Sequence, residues 1–217
     1  YPNALESDGV YKSNRGSCTR QSWFDCSCCP TNVIRFVPAI PGLIYSKANK
    51  TVYVNLYASS LADIDLNGQK VKVSQETAYP WNGKVNVTVD ANSEITVKFR
   101  VPGWSRNEVL PSDLYTYANA LKSQPTLTIN GEKLDAEIKD GYFEVKRNWK
   151  SDDEIEINFP MTVRTVKANE NVEENRGKLS LEYGPIVYAI EEVDNPNFDD
   201  ISLSANDEFT VQKENIL

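Results

Sequence analysis

The chain of 217 residues contains no histidine. Histidine is the commonest general base near neutral pH and a frequent zinc ligand, so its absence excludes Ser-His, Cys-His and histidine–metal arrangements within these residues. Any nucleophile in this chain must therefore be activated in another way.

Positive charge and long apolar runs are also scarce. The chain has 23 Lys and Arg residues against 31 Asp and Glu residues, which gives a formal net charge of −8. Phosphate recognition needs a surplus of cations, and a membrane helix needs about 18 or more apolar residues in a row. We therefore expect neither nucleic acid nor a membrane as a partner. Because the chain starts at Tyr1 without a Met or a leader pattern, we also expect it to be a piece of a longer protein.

Cysteine is confined to one short stretch, which holds Cys18, Cys26, Cys28 and Cys29. This clustering favours a single local site over a disulfide framework spread through the fold. Two plainer interpretations stay open. The cysteines could be buried free thiols, or they could form a local disulfide, of which a vicinal Cys28–Cys29 bond would be strained.

The residues after the cluster predict a short helix. Pro30 suits the first turn of a helix, and Val33, Ile34 and Val37 recur at helical spacing before Pro38. The thiols then lie at a helix N-terminus, where backbone N–H groups and the helix dipole favour negative charge.

Converging thiolates are suited to holding Zn²⁺. Spacing alone nominates Cys26 and Cys29 as a C-x-x-C pair. Two thiols do not complete a tetrahedron. With no histidine and only Cys18 otherwise available, at least one further ligand must be a carboxylate or come from outside the chain.

From residue 50 onward the pattern predicts β-strands. Short segments of alternating apolar and polar residues are separated by Asn67-Gly68, Asn82-Gly83, Asn130-Gly131 and Asp140-Gly141, which are typical of tight hairpins with positive φ. Segment 112–121 could form a short helix or a loop, and 167–178 is typical of a solvated connection. The predicted strands are 51–57, 61–66, 69–73, 84–89, 94–101, 126–129, 133–138, 142–147, 154–159 and 178–190.

This pattern predicts a mainly β fold, an antiparallel, jelly-roll-like β-sandwich preceded by a loop and a short helix. We expect three parts, which are 1–48 with the cysteine cluster, 49–190 as the sandwich, and 191–217 as the connection to a further C-terminal β domain.

The stretch Trp23-Phe-Asp-Cys-Ser-Cys-Cys-Pro-Thr-Asn32, with segment 3–9 before it, resembles the end of the catalytic α-helical (α/α) barrel of the β-L-arabinofuranosidases of glycoside hydrolase family 127 and its sister family 146. Segment 16–20 is closer to family 146. Segments 100–104, 130–149 and 182–188 are similar to the β-sandwich that follows this barrel in the family.

This resemblance implies a retaining hydrolase that releases β-L-arabinofuranose from plant-type, arabinose-containing glycans. It implies that Cys28 is the nucleophile and that Cys28 and Cys29 bind Zn²⁺, with Cys26 in a supporting role. The other zinc ligands, from an upstream Glu-x-Cys motif, and the acid/base glutamate lie outside this chain in the missing N-terminal catalytic barrel. Whether Cys26 or Cys18 also touches the metal stays open, as does the compartment.

Other residues offer alternatives. Glu6, Asp8 and Asp25 could form the carboxylate pair of an ordinary glycosidase, and Trp23 and Phe24 could form a wall of a sugar site. A rival function is a non-catalytic sandwich that binds carbohydrate or braces a neighbouring domain. For that function, Trp81, Trp104 and Trp149 are either a sugar-stacking face or ordinary packing.

Overall fold

The computed structural model describes residues 9–12, 14–19, 21–22, 25–151, 153–190, 195–197, 200–205 and 207–212. The chain divides into two compact units, Tyr1–Leu43 and Ile44–Leu217. In the described part, no helix is long and apolar enough to cross a membrane.

The first unit contains the predicted helix. Helix α1 is Cys28–Phe36, with Pro30 in its first turn. A 3-10 turn, Val37–Ala39, and a short helix α2, Pro41–Ile44, follow it. Pro38 lies at the start of that 3-10 turn because its missing N–H is tolerated there. The helix therefore ends at Phe36, close to the proline that the sequence predicted to stop it.

The second unit is built from short strands. Their bounds are β1 Tyr45–Ala48, β2 Thr51–Val54, β3 Ser60–Leu66, β4 Gln69–Thr77, β5 Lys84–Asp90, β6 Ser93–Arg100, β7 Tyr115–Tyr117, β8 Thr126–Ile129, β9 Glu132–Leu134, β10 Ile138–Lys139, β11 Tyr142–Trp149, β12 Asp153–Asn158, β13 Val163–Ala168, β14 Leu179–Tyr183 and β15 Ile186–Tyr188. Two further 3-10 turns are Gly103–Arg106 and Glu173–Asn175.

Among the described residues these strands pair into three sheets. The first has the order β1-β2-β6-β11-β10, the second β3-β4-β5-β12-β8-β9, and the third β15-β14-β13-β7. Within this part of the chain the pairs are antiparallel except β2 with β6, which is parallel. The predicted mainly β, antiparallel fold is confirmed.

The core consists of alternating side chains from the first and second sheets. Val85, Val87 and Val89 of β5 belong to the same buried cluster as Val97 and Phe99 of β6. The intervening residues on these strands are more exposed, as expected for sheets that bury one face each. The second sheet is therefore free to present polar side chains on its outer face.

The turn dipeptides behave as predicted at three of four places. Asn67-Gly68, Asn130-Gly131 and Asp140-Gly141 all have positive φ at both residues. Asn82-Gly83 was wrongly predicted to need this conformation, since neither residue has positive φ in the structure. Gly83 is required for another reason, because a Cβ there would lie 1.9 Å from the carbonyl oxygen of Phe159.

Some elements differ from the prediction. Segment 112–121 forms no helix but contains strand β7, and 178–190 is two strands joined through Gly184, which has φ +57°. Strands β1 and β13 were missed. Strand β13 lacks strict alternation because Arg164, Thr165 and Val166 are all buried.

Arg164 connects the third sheet to the segment after β6. Its guanidinium donates hydrogen bonds to the carbonyl of Trp104 (3.0 Å), Oδ1 of Asn107 (2.8 Å) and the carbonyl of Asn119 (2.8 Å). It also lies 3.2 Å from the ring centroid of Tyr117 on β7. The buried cation thus organises the connection between β6 and β8.

Asp153 connects the turn between β8 and β9 to the turn between β11 and β12. One oxygen, Oδ1, accepts hydrogen bonds from Nδ2 of Asn130 (2.8 Å) and from Arg147 (3.3 Å), and Oδ2 accepts one from the backbone N–H of Lys150 (3.0 Å). Burial by itself raises the pKa of Asp153, but these hydrogen bonds and the charges of Arg147 and Lys150 outweigh it, so the pKa lies below its usual value. Asp153 is therefore an ionised, buried anchor.

Candidate functional site

The cysteine cluster lies at the N-terminus of α1. Cys28 is the first helical residue and Cys29 the second, with Ser27 at the cap position. The hydroxyl of Thr31 donates to the carbonyls of Ser27 (2.8 Å) and Cys28 (3.0 Å), and Nδ2 of Asn32 also donates to the carbonyl of Cys28 (3.0 Å). Local polar side chains thus hold the backbone that carries both cysteines.

The structure brings three of the four sulfurs together. The Sγ atoms of Cys26 and Cys28 are 3.4 Å apart, and those of Cys28 and Cys29 are 3.7 Å apart. Both separations are far longer than a disulfide bond. Cys26 and Cys28 are exposed and Cys29 is half-buried. Neither a disulfide nor burial in a core therefore describes these sulfurs.

The separation of 3.7 Å between the Cys28 and Cys29 sulfurs fits a shared zinc ion. Two sulfurs at the usual Zn–S distance, with a tetrahedral angle between them, lie about 3.8 Å apart. The Cys26–Cys28 separation of 3.4 Å is shorter than this value. Among the described residues, no set of three or more Cys, Asp or Glu side chains is arranged so that all of them could bind one metal ion. The separation of the Cys28 and Cys29 sulfurs is thus compatible with two ligands of one metal ion.

Cys18 directly follows a tight turn. A bridge between Asn14 and Ser17 closes this turn, with positive φ at Arg15 and Gly16. Arg15 pairs with the exposed carboxylate of Asp25 at 3.2 Å, which links the turn to the residue before Cys26. Asp25 thus has a partner that explains its position without a catalytic role.

Four further candidates from the sequence fall in parts of the chain that the structure does not describe. Glu6, Asp8, Trp23 and Phe24 lie outside the described residues.

The three tryptophans of the sandwich separate into two groups. Trp104 and Trp149 are buried, and their indole N–H groups donate to the hydroxyl of Tyr79 (3.2 Å) and the carbonyl of Ile95 (3.1 Å). Trp81 is 61% exposed. Trp104 and Trp149 are thus packing residues, and Trp81 is the one of the three that is exposed to solvent.

Sequence reasoning missed one polar feature, a groove on the outer face of the second sheet. It has a volume of about 650 Å³ and is lined by side chains of β4, β5, β8 and β12. The predicted alternation of these strands indicates which residues point outward, but it gives no signal for a depression in the sheet.

Comparison with known proteins identifies the relatives of the chain. Residues 51–161 match the family model described as "Beta-L-arabinofuranosidase, GH127 middle domain", and residues 163–213 match "Glycoside hydrolase family 127 C-terminal domain". A curated relative, the non-reducing end β-L-arabinofuranosidase of Bifidobacterium longum subsp. longum, is 31% identical over 207 residues, which are 90% of this chain and 29% of that protein.

Two solved structures are also similar. A GH127 β-arabinofuranosidase is 44% identical with a TM-score of 0.78, over 86% of this chain and 28% of that one. The GH127 β-L-arabinofuranosidase Ara127N from Geobacillus stearothermophilus T6 is 40% identical with a TM-score of 0.69, over 81% of this chain and 26% of that one. The chain therefore spans less than a third of the length of these relatives. Its sequence and fold together place it in glycoside hydrolase family 127.

Proposed function

We propose that this chain is part of a retaining glycoside hydrolase that releases β-L-arabinofuranose from the non-reducing end of arabinose-containing glycans, with Cys28 as the nucleophile. The observation that carries the proposal is the position of Cys28 as the first residue of α1, exposed and 3.7 Å from the sulfur of Cys29. The names of the similar proteins support the activity and the sugar.

Cys28 and Cys29 would hold a Zn²⁺ ion, since thiolates are preferred zinc ligands and the separation of these sulfurs suits a tetrahedral site. The bound metal supplies positive charge that keeps a thiol in its nucleophilic thiolate form without a histidine base. This chain contributes two sulfur ligands, and the other ligands would come from the rest of the protein.

Hydrolysis then proceeds by two substitutions at the same carbon, with Cys28 as the nucleophile of the first and the leaving group of the second. Its sulfur attacks the anomeric carbon of the arabinofuranosyl unit, a C–S bond forms, and the C–O bond to the leaving glycan breaks. The leaving oxygen takes a proton from an acid outside this chain. Water then attacks the same carbon and gives a proton to the conjugate base of that acid, the C–S bond breaks, and the sulfur leaves as thiolate. Two inversions give overall retention of configuration.

Neighbouring residues hold the nucleophile in place. The hydrogen bonds of Thr31 and Asn32 to the Cys28 carbonyl fix the first turn of α1, and so the backbone position from which the sulfur extends. A restricted nucleophile loses less conformational freedom on reaching the attacking geometry. We expect the 217-residue chain alone to be inactive, because the acid and the remaining ligands are missing.

The test is Cys28→Ala in the complete protein, assayed on an aryl β-L-arabinofuranoside. Loss of the nucleophile should lower kcat by about 10⁴-fold or more, and excess azide should restore turnover as a glycosyl azide of inverted configuration. Tyr188→Ala on β15, far along the chain from the cysteines, serves as the matched control with unchanged turnover. Full activity of Cys28→Ala would favour the rival function, a sandwich without a catalytic role.

Zinc binding is tested separately by metal analysis of the complete protein. Cys29→Ala should lower bound zinc and activity together. A full complement of zinc in the double variant Cys28→Ala/Cys29→Ala would contradict the assignment of these two ligands.

A further inference from the structure

The groove on the outer face of the second sheet has an ordered polar lining. Strand register places Glu76, Asn86, Glu156 and Thr128 side by side across β4, β5, β12 and β8. Three strand spacings make this row about 14 Å long. The row thus offers a line of hydrogen-bonding groups of the length of a short oligosaccharide.

The chemistry of the lining selects the type of ligand. A neighbouring row adds the hydroxyls of Ser74 and Thr88, which are 2.6 Å apart, and the carboxylate of Glu154. Hydroxyl, amide and carboxylate groups all suit a ligand rich in hydroxyls. The lining contains the carboxylates of Glu76, Glu154 and Glu156 but a single ammonium, that of Lys84. This excess of negative charge disfavours nucleic acid and acidic polysaccharides.

Lys84 marks the end of the groove and also lines a second cleft. Lys84 pairs with Glu156 at 2.6 Å inside the groove. The second cleft, of about 330 Å³, is lined by Lys84 together with the amide side chains of Asn82 and Asn158. The two depressions are therefore neighbours that share Lys84 in their linings.

An exposed tryptophan is the sequence neighbour of a residue that lines this second cleft. Trp81 directly precedes Asn82 in the sequence and is 61% exposed. Its backbone N–H donates to the carbonyl of Ala78 (2.9 Å), and Oδ1 of Asn82 accepts from the N–H of Lys84 (2.6 Å). Gly83 packs against the backbone of Phe159. The loop that carries the indole is therefore restrained, so its backbone needs little ordering when a ligand binds.

We propose that this surface, from Thr128 to Trp81, binds a neutral oligosaccharide chain. The row across the four strands donates and accepts hydrogen bonds to sugar hydroxyls, and Trp81 stacks on the apolar face of one sugar ring. The linings of both depressions contain no cysteine, so the proposed binding does not use Cys28. Only the choice of an arabinose-containing probe rests on the proposed function.

The test is isothermal titration of the 217-residue chain with a neutral arabino-oligosaccharide. Trp81→Ala should weaken binding by about 10-fold or more, whereas Trp81→Phe should retain part of the affinity because it keeps an aromatic face. Asn86→Ala, which removes one amide from the row, should weaken binding by about 3-fold. The matched control is Tyr188→Ala, another exposed aromatic residue on a different sheet, which should bind normally. Urea unfolding of each variant confirms that these surface changes leave the fold intact.

Four results would overturn the proposal. They are no binding at about 10 mM sugar, equal binding of polygalacturonate, unchanged affinity of Trp81→Ala, or binding by the 217-residue chain that is lost in the complete protein because another segment covers the face. The outcome is independent of catalysis, because Cys28→Ala should bind the probe normally. A complete protein that loses turnover with Cys28→Ala but shows no groove binding would refute this site alone.

Discussion

Replacing Asp153 with Ala tests whether the buried carboxylate anchors the sandwich. The change removes the acceptor for Asn130, Arg147 and the Lys150 N–H. Hydrogen bonds to a charged group contribute about 1.5 to 3 kcal/mol each, but the half-exposed Arg147 can turn to water and its share is small. We therefore expect Asp153→Ala to lower the free energy of unfolding by about 3 kcal/mol.

The assay is urea unfolding at pH 7. With a typical slope of about 2 kcal/mol per molar urea, the midpoint should fall by about 1.5 M. Asp153→Asn, which keeps the shape but loses the charge, should cost about half as much. Asp135→Ala is the control, because Asp135 is exposed. A midpoint for Asp153→Ala equal to that of the control would refute the anchoring role.

The comparison of the natural chain with Asp153→Asn also gives a pH test with a definite sign. The pKa of Asp153 lies below its usual value in the folded chain, so its ionised form contributes stability above the unfolded pKa of about 3.9. This contribution is lost as the pH falls through the folded pKa. The difference in stability between the natural chain and Asp153→Asn should therefore be constant from pH 7 to about 5 and shrink below about pH 4. A difference that grows in acid would contradict the sign of the shift.

Two further substitutions test close packing and the buried cation. Gly83→Ala should lower the free energy of unfolding by about 2 to 4 kcal/mol, since the new Cβ meets the Phe159 carbonyl, whereas Gly42→Ala should cost less than about 0.5 kcal/mol. Thermal denaturation compares the two, and equal midpoints would show that β5 moves aside without cost. Arg164→Met should cost about 3 kcal/mol in urea unfolding, because it leaves the acceptors of Arg164 unpaired. Arg164→Lys should not restore stability, because one ammonium cannot replace a guanidinium that bonds to three groups at once, and full rescue by Lys would contradict this geometry.

Local signals predicted much of the fold. Alternating residues and Asn-Gly or Asp-Gly pairs were sufficient for the hairpins at Gly68, Gly131 and Gly141, since these turns depend only on adjacent φ angles. The helix at Cys28–Phe36 was also predictable, because Pro30 and the apolar spacing act within two turns.

Tertiary contacts decided the features that were missed. Gly83 is adjacent to Phe159 only after β5 and β12 pair. The buried Arg164 breaks the alternation of β13, since its partners come from distant segments. At the site, the spacing that nominated Cys26 and Cys29 carries no sulfur–sulfur distance, whereas the structure gives one for Cys28 and Cys29. A groove in a sheet depends on the curvature of several strands, which no single strand encodes.

The pairing of β7 with β13 limits which segments can be exchanged between family members in a chimera. Strand β7 lies within the residues that match the middle-domain model, and β13 lies within those that match the C-terminal-domain model. In a chimera joined at residue 162, β7 and β13 would therefore come from different proteins. The edge strand β7 would pair with a β13 from the other parent, and Arg164 would face hydrogen-bond acceptors from the other parent. Recombination that moves 163–213 between relatives should succeed only when Tyr115–Tyr117 and its flanking loop travel with it, so the segment that must move as one extends beyond residues 163–213.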